Sequence, residues 1–243
     1  MPVANADLEA PSAEYQREIV RWTISAGGGC VLFGLLNITV AVHNWTVITS
    51  TVVAAIVACG VLVWLTHRTR RIITFQLLRI LILIILLVLV WRIALAFTAE
   101  SLGEMSWIMI VIAIMSNAIG FLLHYNDQLA RLRALPVHAR VDILAKPAIA
   151  IWSPQYAPEE QTIGARKNRD RLATITRWVI GFAPLIGQLI AKSTRQGKVF
   201  VAVLAYLFAF TVLALIAANV AALIELRAVE GRLRKTLLAP RTG

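Results

Sequence analysis

Apolar residues run without a break from Ile80 to Trp91, inside the block IITFQLLRILILIILLVLVWRIALAF from Ile72 to Phe97. A helix rises about 1.5 Å per residue, so roughly 20 residues cover the hydrocarbon core of a bilayer. A helix that is apolar all round has no face to offer water. Comparable runs extend from Trp22 to Val42, Val47 to Leu65, Met105 to Leu123 and Val199 to Leu223. Polar punctuation separates them: HNWT, HRTRR, TAESLGEMS and KSTRQGK. The pattern predicts an all-α protein, a polytopic transmembrane helix bundle with a partly helical cytoplasmic segment. It organises the chain as a tail over 1–21, four crossings over 22–124, a basic segment over 125–171, a second membrane region over 172–224 and a basic tail over 225–243.

The stretch from Leu172 to Ala191 reads two ways. It is long enough to span, yet Thr174, Arg177, Gly181, Pro184, Gln188, Lys192 and Arg195 recur three and four residues apart and form one stripe on a helix. The stripe suits a helix lying in the interface, or a kinked crossing whose polar face looks into the bundle. If the stretch crosses, there are six crossings and a loop with Lys192, Arg195 and Lys198 lies outside. If it does not, there are five, and the tail's five basic residues lie outside instead. Six crossings misplace fewer charges and are favoured over five.

Charge then orients the bundle. Lys and Arg collect in cytoplasmic loops. Arg68, Arg70 and Arg71 in one loop, and eight Lys or Arg between Tyr125 and Arg171, belong on that side, while the link with Glu100 and Glu104 faces out. The amino terminus is therefore expected in the cytoplasm and the protein in the plasma (inner) membrane. The first 21 residues hold four acids and two arginines, unlike the basic start of a cleavable signal. Proline at position 136 should interrupt the helix that leaves the membrane after His124.

Composition adds two exclusions. Of the residues, 59% are hydrophobic and 15% charged, well below the charge content of a soluble domain. The net charge of +11 fits basic loops against anionic lipid headgroups, and no recognition motif points to nucleic acid. Cys30 and Cys59 sit in apolar runs, where small packing residues are expected and not a disulfide framework or a zinc site.

Candidate chemistry is sparse. The sequence holds no H-E-x-x-H, no G-x-S-x-G, no phosphate-binding glycine loop and no C-x-x-C. His67 and His124 close two helices on one side and invite a haem reading, but headgroup placement accounts for both; no catalytic residue, metal or cofactor is expected. Asn37, Asn117 and Asn219 fall at mid-depth in three helices. An amide in hydrocarbon needs partners, so they are either glue between helices or a polar path. Arg92 reads as a snorkelling side chain or an ion pair with Glu100 or Glu104, or else as part of an anion pathway; Arg79 reads as a snorkelling anchor. Asn37, Arg92, Asn117, Arg177, Gln188 and Asn219 are the candidate pathway or interhelical polar residues. Small residues four apart (Ala26, Cys30, Gly34; Ala54, Ala58; Ala214, Ala218, Ala222) allow close helix contact within the chain or with a second subunit.

The leading functional expectation is a non-catalytic integral membrane subunit: a scaffold, anchor or assembly partner bound to other membrane subunits or to itself. The alternative is an ion or solute channel or transporter. An enzyme acting on lipid or haem ranks third.

Overall fold

The computed structural model describes residues 12–40, 45–144 and 195–239. They form α1 (Ala13–Val40), α2 (Trp45–Leu65), α3 (Ile72–Leu102), a 3₁₀ turn (Gly103–Met105), α4 (Ser106–Ala134), the short α5 (Val137–Leu144) and α6 (Arg195–Leu233). No strand occurs among the described residues beyond one isolated bridge between Arg71 and Leu238. The fold of the described residues is all-helical.

Among the described residues, four helical stretches are long and apolar enough to cross a membrane: 13–37, 48–65, 72–134 and 197–233. The third has 63 residues. A straight helix of that length would reach about 95 Å, some three times the roughly 30 Å hydrocarbon core. It folds back at Gly103, whose φ of 56° and ψ of −124° are open to glycine and strained for other residues. The stretch thus supplies two rods, α3 and α4.

What faces out supports a lipid setting. Ile108, Ile112, Met115, Ile119 and Leu122 are exposed on α4, and Val53, Ile56, Val57 and Val61 on α2. In water such contiguous apolar faces would be a large liability.

α3 is the hub. Its Ile82, Leu89, Val90 and Ala94 are fully or nearly fully buried. α1 lies parallel to it: Cys30 Sγ approaches the Ile82 carbonyl at 4.0 Å and Asn37 reaches Leu89. α2 returns antiparallel to α1, with Cys59 Sγ 4.0 Å from the Thr23 carbonyl and Gln16 Nε2 donating to the Thr66 carbonyl at 3.2 Å. α6 runs antiparallel to α3 along its whole length. Lys198 pairs with Glu100 at one end, Tyr206 meets Thr98, Asn219 meets Gln76, and Leu238 bridges Arg71 at the other end. α4 packs on α6 in parallel, since Gly120 faces Phe210 and Arg133 faces Glu225. The molecule thus has an acidic end, with Glu100 and Glu104, and an arginine end.

Small residues make these contacts possible. Ala209, Ala217, Ala218, Ala221 and Ala222 of α6 are at most 1% exposed, and α6 makes its most extensive contact with α3. The stripe on α1 also turns inward: Cys30 meets α3, and a Cβ on Gly34 would lie 2.2 Å from Val52 Cγ2 on α2. On α2 the inward pair is Ala55 and Ala58, while Ala54 is exposed.

Pro136 ends α4 as its chemistry requires. Leu135 is extended (ψ 147°), as the residue before proline prefers, and α5 restarts at Val137. Beyond α6 the chain turns at Arg234 (φ 51°) and lies against the link between α2 and α3. Ala239 N–H donates to the Arg70 carbonyl at 2.8 Å, and Arg70 Nε and Nη2 donate to the Ala239 carbonyl at 2.9 and 2.6 Å.

Candidate functional site: polar groups inside the bundle

The three asparagines sit in different surroundings, and no two of them are hydrogen-bond partners. Asn37 is 2% exposed. Its Nδ2 donates to the Phe33 carbonyl one turn back (2.8 Å) and across to the Leu89 carbonyl of α3 (2.9 Å). Asn219 repeats the local half of this arrangement, with Nδ2 donating to the Leu215 carbonyl at 2.7 Å. Its Oδ1 accepts from Gln76 Nε2 at 2.8 Å, and Gln76 also reaches the Asn219 carbonyl at 3.1 Å. Both asparagines tie a neighbour to α3.

Asn117 differs. It is 5% exposed, and its Oδ1 is sealed without a hydrogen-bond partner. It stands on the wall of a crevice of about 450 Å³ between α3, α4 and α6, among Leu87, Trp91, Phe121, Leu122 and Leu213.

Arg92 is half-buried and forms no ion pair among the described residues. Of its two expected partners, Glu100 and Glu104, the first is taken by Lys198 of α6. Sequence distance had favoured Arg92, but antiparallel α6 brings its first turn to the end of α3. Arg177 and Gln188 lie outside the described residues.

Other polar groups matter more than the sequence suggested. Thr98 Oγ1 and Tyr206 Oη are 3.2 Å apart between α3 and α6. Arg79 is 3% exposed and places its guanidinium 5.1 Å from the Trp22 ring centre, with Nε and Nη2 unpartnered. α1 covers this face of α3, so the side chain finds an indole face, a favourable site for a cation, in place of headgroups.

The best-connected cluster is at the arginine end. Glu225 has no exposed side-chain surface. Its Oε1 accepts from Arg140 Nη1 at 2.6 Å and its Oε2 from Arg133 Nε at 3.3 Å. Arg140 also donates through Nε and Nη2 to the Leu135 carbonyl (3.2 and 2.8 Å) and through Nη2 to the Arg133 carbonyl (3.0 Å). These are carbonyls that the end of α4 leaves without helical partners. One arginine therefore caps α4, holds α5 against it and pairs with α6. The sequence signal was a lone carboxylate closing the long apolar run of α6.

The Gln76–Asn219 pair gives a direct measure of this glue. A double-mutant cycle with Gln76→Leu and Asn219→Leu, followed by unfolding in detergent, is expected to return a coupling of about 0.6–1.7 kcal/mol. A coupling of zero would mean that the amides do not hold α3 to α6.

No family model, curated protein or solved structure matches this chain.

Proposed function

We propose that this chain is a non-catalytic integral membrane subunit, a scaffold, anchor or assembly partner for other membrane chains or for itself. One observation carries the reading: five polar side chains within the spans are spent on bonds between the chain's own helices. Asn37, the Gln76–Asn219 pair and Thr98–Tyr206 join helices, which suits a rigid platform better than a wet path. The exposed apolar faces of α2 and α4 are its surfaces for lipid and partner helices. Purification at native abundance is expected to bring partner chains along, and liposomes containing the protein are expected to stay tight. Protein that emerges alone and conducts ions or solutes would replace this reading with the channel alternative.

Six crossings are part of the proposal. α4 and α6 are parallel neighbours, and parallel helices need a connection that returns to the starting end. α5 leaves the chain at the arginine end, beside Glu225, and α6 begins at the acidic end, where Lys198 meets Glu100. That separation of the two ends supports the six-crossing reading. The same geometry supports an arginine end in the cytoplasm of a plasma (inner) membrane, against anionic headgroups. Arg68, Arg70, Arg71, Arg131, Arg133 and Arg140 lie there, and basic residues are retained on that side.

Accessibility labelling tests the topology. In a background with Cys30→Ala and Cys59→Ala, a thiol at Arg195→Cys is expected to react with an impermeant reagent from outside. Thiols at Arg68→Cys and Lys235→Cys should react only after the membrane is opened. Labelling of position 195 from the inside would defeat the six-crossing arrangement.

A further inference from the structure

Placed in a bilayer, the far end of α6 overhangs it. The helix is apolar from Val199 to Leu223, about 37 Å at 1.5 Å per residue, which covers a hydrocarbon core of roughly 30 Å with some tilt. Residues 224–233 carry it on to its end, about 15 Å further. The headgroup layer takes up only about 5–7 Å on each side. Arg227 therefore falls among the headgroups, and the turn from Arg232 to Thr236 stands beyond them. Three features hold this turn in place. Arg234 adopts φ 51°, Leu237 N–H donates to Glu230 Oε1 at 2.9 Å, and Ala239 N–H reaches the Arg70 carbonyl at 2.8 Å.

We propose that this turn docks an acidic amphipathic segment of a cytoplasmic partner protein. The proposal names the partner chemistry of the assembly subunit described above and rests on that reading, with the arginine end in the cytoplasm. Charge sets the sign of the partner. Arg232, Arg234 and Lys235 are exposed and form no ion pair among the described residues. The two acids nearby are engaged inside the fold: Glu225 is buried against Arg140, and Glu230 accepts the Leu237 N–H. The three cations are therefore not offset locally. Leu233 sets the class of partner. It stands beside the cations and is 42% exposed, at a height that lipid tails do not reach. A phosphate headgroup would satisfy the cations and leave the leucine in water. A helix that carries carboxylates beside leucines meets both. The bonds that hold the turn also fix these groups before the partner arrives, which lowers the ordering cost of association.

The test uses the full chain in nanodiscs of zwitterionic lipid. The probe is a synthetic amphipathic helix about four turns long, with glutamates flanking a seam of leucines, and the comparison is its glutamine counterpart. By fluorescence anisotropy the acidic peptide is expected to bind about tenfold more tightly, the factor that a few solvent-screened ion pairs provide together. Changing Arg232, Arg234 and Lys235 together to Gln should remove that margin. The exchange Arg232→Lys, Arg234→Lys and Lys235→Arg should keep it, and so should Arg227→Gln, which acts at headgroup depth. Leu233→Ser should weaken both peptides. Anionic phospholipid added to the nanodisc should leave binding intact. Equal affinity for the two peptides, or a triple-Gln protein that binds as before, would overturn the proposal. Loss of binding on adding anionic lipid would also overturn it and make the membrane surface the occupant. The two readings fail separately. A protein that brings partner chains along but ignores the acidic peptide keeps the subunit reading and loses this surface. One that emerges alone and conductive loses the subunit reading whatever the peptide does.

Discussion

Replacing Glu225 with alanine is expected to cost the folded bundle about 3–5 kcal/mol, the range found when one partner of a buried ion pair is removed. The carboxylate has no exposed side-chain surface and the Arg140 side chain is 8% exposed. Removing Glu225 strands a buried guanidinium. The damage should also spread, because Arg140 holds the carbonyls at the end of α4 and links α5 to α6. Arg133 is 57% exposed and contributes little of its own, as solvent-screened pairs do. The expected order of loss is therefore Glu225→Ala and Arg140→Ala together at the top and Arg133→Ala far below. Unfolding midpoints in one detergent would check the order. A Glu225→Ala protein as stable as its parent would show that the pair's attraction merely balances its desolvation.

The second large effect concerns a contact with no polar group in it. Gly34→Ala is expected to destabilise by about 1–3 kcal/mol, the usual cost of overpacking. The added carbon would lie 2.2 Å from Val52 Cγ2. Valine in a helix has one strongly preferred rotamer and cannot swing aside cheaply. The helices must then separate. Two comparisons isolate the cause. Val52→Ala should restore the Gly34→Ala protein, because it removes the obstructing methyl. Gly28→Ala and Gly60→Ala meet nothing within 4 Å and should stabilise slightly, by up to about 1 kcal/mol, through helix propensity. Opposite signs for chemically identical changes would locate the close approach of α1 and α2. A uniform gain at all three positions would mean that the helices have room to spare. Gly120 is a milder case: its obstruction is the ring of Phe210, which is 37% exposed and can rotate away.

The helices were legible because hydropathy reports length directly, and Pro136 because its ring chemistry acts locally. The associations between helices were not legible. Glu100 is eight positions from Arg92 but bonds to Lys198, and Asn219 depends on Gln76. Such pairs follow from which rods lie side by side, and a bilayer is indifferent to that choice until small residues bring two backbones close. Ala54 illustrates the limit: it is exposed, and the buried small residues of α2 are Ala55 and Ala58. The start of α1 shows the same dependence. Tyr15 and Ile19 read as part of a polar tail, yet they are buried, with the Tyr15 ring 5.7 Å from Phe75. Of the candidate polar residues, Asn37, Asn117 and Asn219 were visible as amides within apolar runs. That one of the three would lack a partner was invisible, because satisfaction is a property of neighbours.

The antiparallel seating of α6 along α3 has a consequence for biosynthesis. The hub leaves the ribosome long before its largest partner exists. At roughly 5–20 residues per second, the stretch from the end of α3 to the end of α6 takes on the order of ten seconds to translate. Throughout that interval Gln76, Thr98 and Glu100 lack their partners on α6, and the nascent chain offers an open seam to insertion factors and quality-control proteases. The last helix acts as a keystone, and chains that stall before it should be the ones the cell degrades.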